Sequence, residues 1–121
     1  MRLFALRGAT TADANTSEAI RGATERLMRE ILARNALAIE DVVSCLFTVT
    51  DDLDADFPAA AARQVGFSSV PLLCAREIPV PGALPSVIRV LVHYHADDEH
   101  RPTHVYLGDA AALRRDLEEA N

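Results

Sequence analysis

With 121 residues, half of them hydrophobic and a quarter charged, the chain has the size and composition of one globular domain, 1–121, with a real core but little room for a deep cleft of its own. A net charge of −6 and the lack of a basic stripe exclude a general nucleic-acid binder. All twelve basic residues are arginine, which excludes lysine Schiff-base chemistry and a lysine-based phosphate loop. No apolar stretch approaches transmembrane length, and the short run Leu3–Leu6, stopped by Arg7-Gly8, is too brief for a signal peptide. Cys45 and Cys74 show neither metal-like nor framework spacing, so the expectation is a soluble protein, not membrane-bound, in a reducing cytoplasm.

Residues 2–8 read as a first strand, followed by a polar connection from Thr10 to Asn15. Asn15, with Glu18 three residues on, resembles a capping box for a helix. In that helix Ile20, Ala23, Thr24, Leu27, Met28, Ile31 and Leu32 recur at helical spacing, and it should end near Arg34-Asn35. A second strand spans Val42 to Thr50, with Val43, Cys45, Phe47 and Val49 alternating against Ser44, Leu46 and Thr48. The acidic run Asp51 to Asp56 reads as a solvated loop, or as a metal site that lacks the glycine and distal glutamate of a calcium loop.

Pro58 suits the first turn of a second helix, Ala59 to Val65, stopped by Gly66. Val70 to Arg76 forms a third strand. Three prolines make Pro79 to Pro85 a stiff connector into a long fourth strand, 86–95. A charged turn, a short strand from Thr103 to Leu107, and a final helix or irregular tail from Asp109 to Glu119 complete the order β-α-β-α-β-β-β-α. Strands joined by helices imply parallel pairs, the long strand closes a mixed sheet, and the class is α/β with an α+β mixed sheet. With the helices mainly on one face, the other face needs cover, most simply from further copies of the chain.

Arg89 lies inside the apolar run Val87-Ile88-Arg89-Val90-Leu91-Val92. Alternation puts Ile88, Val90, Val92 and Tyr94 on one face, and Arg89, Leu91, His93 and His95 on the other. A guanidinium there is costly to desolvate without an anion or a dense set of acceptors, so it serves either an interface ion pair or an anion site. Arg7, at the end of a separate strand, tilts the reading towards a shared anion site. Glu77 could be a surface carboxylate at a strand end, Cys74 a small buried hydrophobe, and Tyr106 a half-buried strand aromatic with its hydroxyl at a rim. The four histidines are scattered between strands and a turn, which leaves metal binding a minor alternative.

At these residues the chain resembles a known family. Leu6-Arg7-Gly8-Ala9-Thr10-Thr11, Phe57-Pro58-Ala59 with Arg63, Val70 to Glu77, Ile88-Arg89-Val90, and His104-Val105-Tyr106-Leu107 with Leu113-Arg114 are together similar to the AroH class of chorismate mutases. The similarity runs in order along nearly the whole chain. It implies a homotrimer with a pseudo-barrel core, active sites between adjacent subunits, no cofactor, no metal, and isomerisation of chorismate to prephenate on the route to phenylalanine and tyrosine. By the same resemblance, Arg89 would bind the ether oxygen and a carboxylate, Arg7 a carboxylate, and Glu77 the ring hydroxyl with Cys74 beside it. Tyr106 would meet the side-chain carboxylate and Phe57 would wall the pocket. Ala59, Leu73 and Leu113 would also line it, with Arg63 and Arg114 at the entrance or lid. Ala60 stands where family members often carry lysine, which removes a cation from the rim and bears on capture more than on chemistry.

The residues agree with such a substrate. A dianion explains several arginines, and a Claisen-type rearrangement needs neither nucleophile nor proton transfer. Negative charge grows on the breaking ether oxygen, where a fixed cation binds the transition state more strongly than the ground state. Two other readings fit an arginine at a subunit cleft: a trimeric enamine/imine deaminase of related fold, and a non-catalytic module that binds small carboxylates.

Overall fold

The computed structural model describes residues 1–113. Strand β1 (Arg2–Thr11) leads to helix α1 (Ser17–Arg34), strand β2 (Val42–Val49), helix α2 (Pro58–Val65), strand β3 (Leu72–Arg76), the long strand β4 (Val87–Ala96) and the short strand β5 (Val105–Tyr106). Single 3₁₀ turns at Ile39–Asp41, Phe67–Ser69 and Gly108–Ala110 were not foreseen from sequence. The final helix expected over 109–119 is represented by the last of these turns and a helical start at 111–113; its remainder lies outside the described residues.

The five strands form one mixed sheet in the order β3-β2-β4-β1-β5. β4 does its closing from the centre, running antiparallel to both β1 and β2, while β2 pairs parallel with β3 and β1 parallel with β5. The β2-α2-β3 pairing is the parallel unit that strand-helix-strand order implies.

Both helices pack on one face. Leu27, Met28 and Ile31 of α1, with Ala62 of α2 and Phe67, bury against Leu6, Phe47, Val90, Val92, Tyr94 and Val105 of the sheet. Full burial of each large side chain contributes roughly 1.5–3 kcal/mol. Gly8 permits the close approach of α1: a Cβ there would stand 2.8 Å from Ile31 Cδ1 and 3.3 Å from Leu27 Cδ1. Among the described residues, neither α1 nor α2 covers the opposite face. Leu3, Leu46 and Leu73 lie exposed on it.

Thr16, not Asn15, caps α1, accepting from the Ala19 N–H. Asn15 is taken up by the acidic loop instead: its Oδ1 accepts from the Asp54 and Ala55 N–H groups and its Nδ2 donates to Asp54 at 2.7 Å. The same loop is clamped by Asp56, which accepts from Ser17 and from Arg21 Nε. These bonds pull the Asp56 carboxyl below its usual range, Ser17 first and Arg21 next. The carboxylates of this run thus serve as loop anchors. The connector after β3 contains a turn at Pro81-Gly82, closed by Ala83 N–H to the Val80 carbonyl, with Gly82 at φ 85°.

Candidate active site

Pairing sets one row of residues across all five strands: Ala75, Thr48, Arg89, Ala9 and Tyr106. Partners in register project to the same face, so all five point away from the helices. Arg89 is flanked by the small Ala9 and the short Thr48, which leaves its guanidinium space to lie over the sheet. One step along, Arg7 pairs with Leu91, which in turn pairs with Leu46. Glu77 falls just beyond β3, where its N–H donates to the Val49 carbonyl at 2.9 Å and extends the β2–β3 ladder by one rung. That rung brings its carboxylate back over Thr48 and Arg89.

The outcome is a groove of about 400 Å³ lined by Arg7, Glu77, Arg89 and Tyr106, with Leu46 and Leu91 as its apolar floor. Glu77 Oε1 accepts from the Thr48 hydroxyl at 2.9 Å and lies 2.5 Å from Arg89 Nε. The contact with Arg89 is one of charge; the buried Nε makes no hydrogen bond among the described residues. The backbone of Arg7 is fixed from the β5 side, where its N–H donates to His104 Nδ1 at 2.9 Å. Two guanidiniums against one carboxylate make this groove locally positive on a chain of net charge −6. A second hollow of about 430 Å³, near Met1, is lined by Asp41, Asp97 and Glu99 without an arginine and suits no anion.

The start of β4 is held with equal care. Ser86 adopts a left-handed backbone, φ 58°, which costs a non-glycine residue about 1–2 kcal/mol. Asp52 offsets it by accepting from the Ser86 N–H at 2.9 Å, while Thr50 donates to Asp52 and accepts from the Val87 N–H. The bond from Thr50, followed by those from Ser86, holds the Asp52 carboxyl below its ordinary value. Three residues later the strand delivers Arg89.

Arg7, Arg89, Glu77 and Tyr106 therefore share one groove; the other described residues singled out from sequence do not join them within a chain. Cys74 pairs with Phe47, so it faces the helix side of the sheet, away from Arg89. With Phe57 and Arg76 it lines a different groove, of about 360 Å³. Phe57 is 70% exposed and Leu73, on the open face, is 61% exposed. Ala59 is buried in α2, Arg63 is exposed in its last turn, and Leu113 is half-buried; Arg114 lies outside the described residues. Thr48, Ala9, Leu46 and Leu91 were not singled out as site residues. Strand alternation alone places them on the Arg89 face or its equivalent, but only the register shows them beside it.

The remaining polar candidates have other partners. His93 meets Ser44 at 3.2 Å, His100 meets the Tyr94 hydroxyl at 2.7 Å, and His104 holds the Arg7 backbone. Among the described residues no three His, Cys, Asp or Glu side chains gather as a metal site requires. Cys45 is buried, which pushes its thiol up to about 12 and keeps it protonated. No described helix is long and apolar enough to cross a membrane.

Fold and groove together define a small mixed α/β domain with an arginine-lined groove on the sheet face opposite the helices. The chain belongs to the chorismate mutase type I family, whose model matches residues 3–117. It is 50% identical over 117 residues to chorismate mutase AroH of Thermus thermophilus, covering 95% of this chain and 96% of that protein. It is 40% identical over 119 residues to chorismate mutase AroH of Bacillus subtilis, covering 97% and 94%. A solved chorismate mutase from Clostridium thermocellum superposes with a TM-score of 0.87 at 46% identity, covering 91% of this chain and 99% of that one.

Proposed function

We propose that this chain isomerises chorismate to prephenate in phenylalanine and tyrosine biosynthesis. The observation that carries this reading is the convergence of Arg7, Arg89, Glu77 and Tyr106 on one groove. Two arginines match the two carboxylates of chorismate, and the apolar floor of Leu46 and Leu91 suits its ring. The rearrangement is unimolecular: the ether carbon–oxygen bond breaks, a carbon–carbon bond forms, and every atom of the substrate is kept. Arg89 meets a carboxylate and the ether oxygen, where charge accumulates as the bond lengthens, and preorganised charge at that point lowers the barrier. Arg7 and Tyr106 take carboxylate oxygens, Glu77 accepts from the ring hydroxyl, and together they hold the compact conformer from which the reaction proceeds.

The working unit in this reading is a homotrimer. Its support is the uncovered sheet face with exposed leucines, and the exposure of Phe57 and Leu73, which a groove-lining role in the same chain does not explain. In the trimer, Phe57, Ala59, Arg63, Leu73 and Cys74 of an adjacent copy complete the pocket, with Leu113 at its mouth. The chain functions as one domain, 1–121, in the cytoplasm, without cofactor.

The test is direct. Purified protein is incubated with chorismate while its ultraviolet absorbance is followed, and prephenate is identified in the product. Rapid loss with stoichiometric prephenate supports the proposal; binding without turnover, or release of ammonia from an enamine substrate instead, overturns it.

A further inference from the structure

Both contacts of the Glu77 side chain converge on a single oxygen. Its Oε1 accepts from Thr48 and faces Arg89 Nε, while Nε itself, buried, has no hydrogen bond among the described residues. The position of the guanidinium thus depends on the carboxylate, and among the described residues the one directional bond on that carboxylate comes from Thr48. Glu77 lies past the end of β3, so only its backbone is fixed by the ladder, and its side-chain torsions are left to that bond. Thr48 stands directly opposite Arg89 in the β2–β4 register, and from there its hydroxyl reaches the carboxylate that faces Arg89.

Building on the mutase reading, we infer that Thr48 is a positioning residue for the reaction. Its hydroxyl anchors Glu77, Glu77 pins the Nε edge of Arg89, and the two terminal nitrogens of the guanidinium are left for the substrate oxygens. Holding one edge of the planar fork reduces the rotamer freedom that a long side chain otherwise loses on binding. A carboxylate without the hydroxyl is free to turn, and the cation turns with it. Misplacing a catalytic group by about 1 Å is enough to cost about 10²-fold in rate.

Two substitutions separate positioning from packing. Thr48→Val keeps the branched shape, which a strand accepts, and removes the hydroxyl; Thr48→Ser keeps the hydroxyl and removes the methyl. With chorismate, kcat of Thr48→Val should fall about 10- to 100-fold with KM moved far less, and Thr48→Ser should remain near the native rate. A packing role gives the reverse order, and native turnover in Thr48→Val overturns the inference. The Arg89 Nε–H resonance of ¹⁵N-labelled, substrate-free protein provides a second readout. It should be dispersed in the native chain and in Thr48→Ser, and broadened or shifted towards the free-arginine position in Thr48→Val; an unchanged resonance in Thr48→Val also overturns the inference. The spectrum needs no turnover. A native chain inert to chorismate would therefore remove the proposed reaction while the resonance still decides the role of Thr48.

Discussion

Gly8 lies between two residues of the groove, Arg7 and Ala9, and directly beneath α1, so Gly8→Ala probes how tightly the helix sets the strand. The added Cβ would stand 2.8 Å from Ile31 Cδ1, 3.2 Å from Val90 Cγ1 and 3.3 Å from Leu27 Cδ1. Ile31 and Leu27 are fully buried and Val90 almost so, which leaves them little freedom to yield. Overpacking of this kind costs about 1–3 kcal/mol. The loss of unfolded-chain entropy on replacing glycine returns about 0.4–1 kcal/mol, since Gly8 is not among the positive-φ glycines. The net expectation is a destabilisation of about 1–2 kcal/mol, read by urea denaturation. Ile31→Val removes the atom in closest conflict and alone costs about 0.5–1.5 kcal/mol. In the double variant the new methyl occupies the space that Cδ1 leaves, so the two changes should couple favourably by about 1 kcal/mol. Losses that add to within about 0.5 kcal/mol would refute the close-contact argument, as would a Gly8→Ala chain with native stability.

Three further outcomes follow from the same geometry. Asp52 and Asp56 have carboxyls held below the ordinary range, so the folded state prefers them ionised; the stability they contribute is present above about pH 4 and lost as pH falls through their folded values. Asp56→Asn should therefore flatten the acid limb of a urea-midpoint profile, and an unaltered limb would show that the clamp to Ser17 and Arg21 contributes nothing. Arg63 is exposed in the last turn of α2, so Arg63→Ala should raise KM more than it lowers kcat, with the native enzyme sensitive to salt; a collapse of kcat alone would assign Arg63 to the chemical step. Light scattering coupled to size exclusion should give a trimer, and a stable, fully active monomer would contradict the placing of Phe57 and Leu73 in a neighbour's pocket.

Local chemistry made much of this fold legible. The alternation in β4 identified its buried face, and residues 88, 90, 92 and 94 are indeed almost wholly enclosed. The proline-rich connector and the Gly66 stop, at φ 128°, followed from backbone restrictions that need no partner. What could not be read was long-range. The Asn15 and Glu18 spacing favoured a cap at Asn15, but the loop around Asp54 competes for that side chain and Thr16 takes the role. The strand order was equally hidden, because β4 enters between β1 and β2 only when the whole sheet assembles. Arg89 announced itself as a charge in an apolar run, whereas Thr48 gains its meaning only from lying across the strand from it. Cys74 is the converse case. The residue type read as a small buried hydrophobe and the family resemblance placed it beside Glu77; alternation along β3 turns it to the helix face of its own chain.

In the proposed mechanism, a fixed cation at Arg89 stabilises charge on the breaking ether oxygen. Steady-state kinetics of Arg89→Gln with chorismate test it most directly, alongside Arg89→Lys and a pH profile of the native enzyme. Turnover of Arg89→Gln should fall by about 10² to 10³ or more while KM changes far less, as when one preorganised oxyanion donor is removed. Arg89→Lys should recover only part of the loss, since a point charge cannot span two acceptors as the planar fork does. Native kcat should be flat through neutral pH, without a solvent isotope effect, because no proton moves. Near-native turnover in Arg89→Gln, or a bell-shaped profile centred on neutrality, would rule out this role for Arg89.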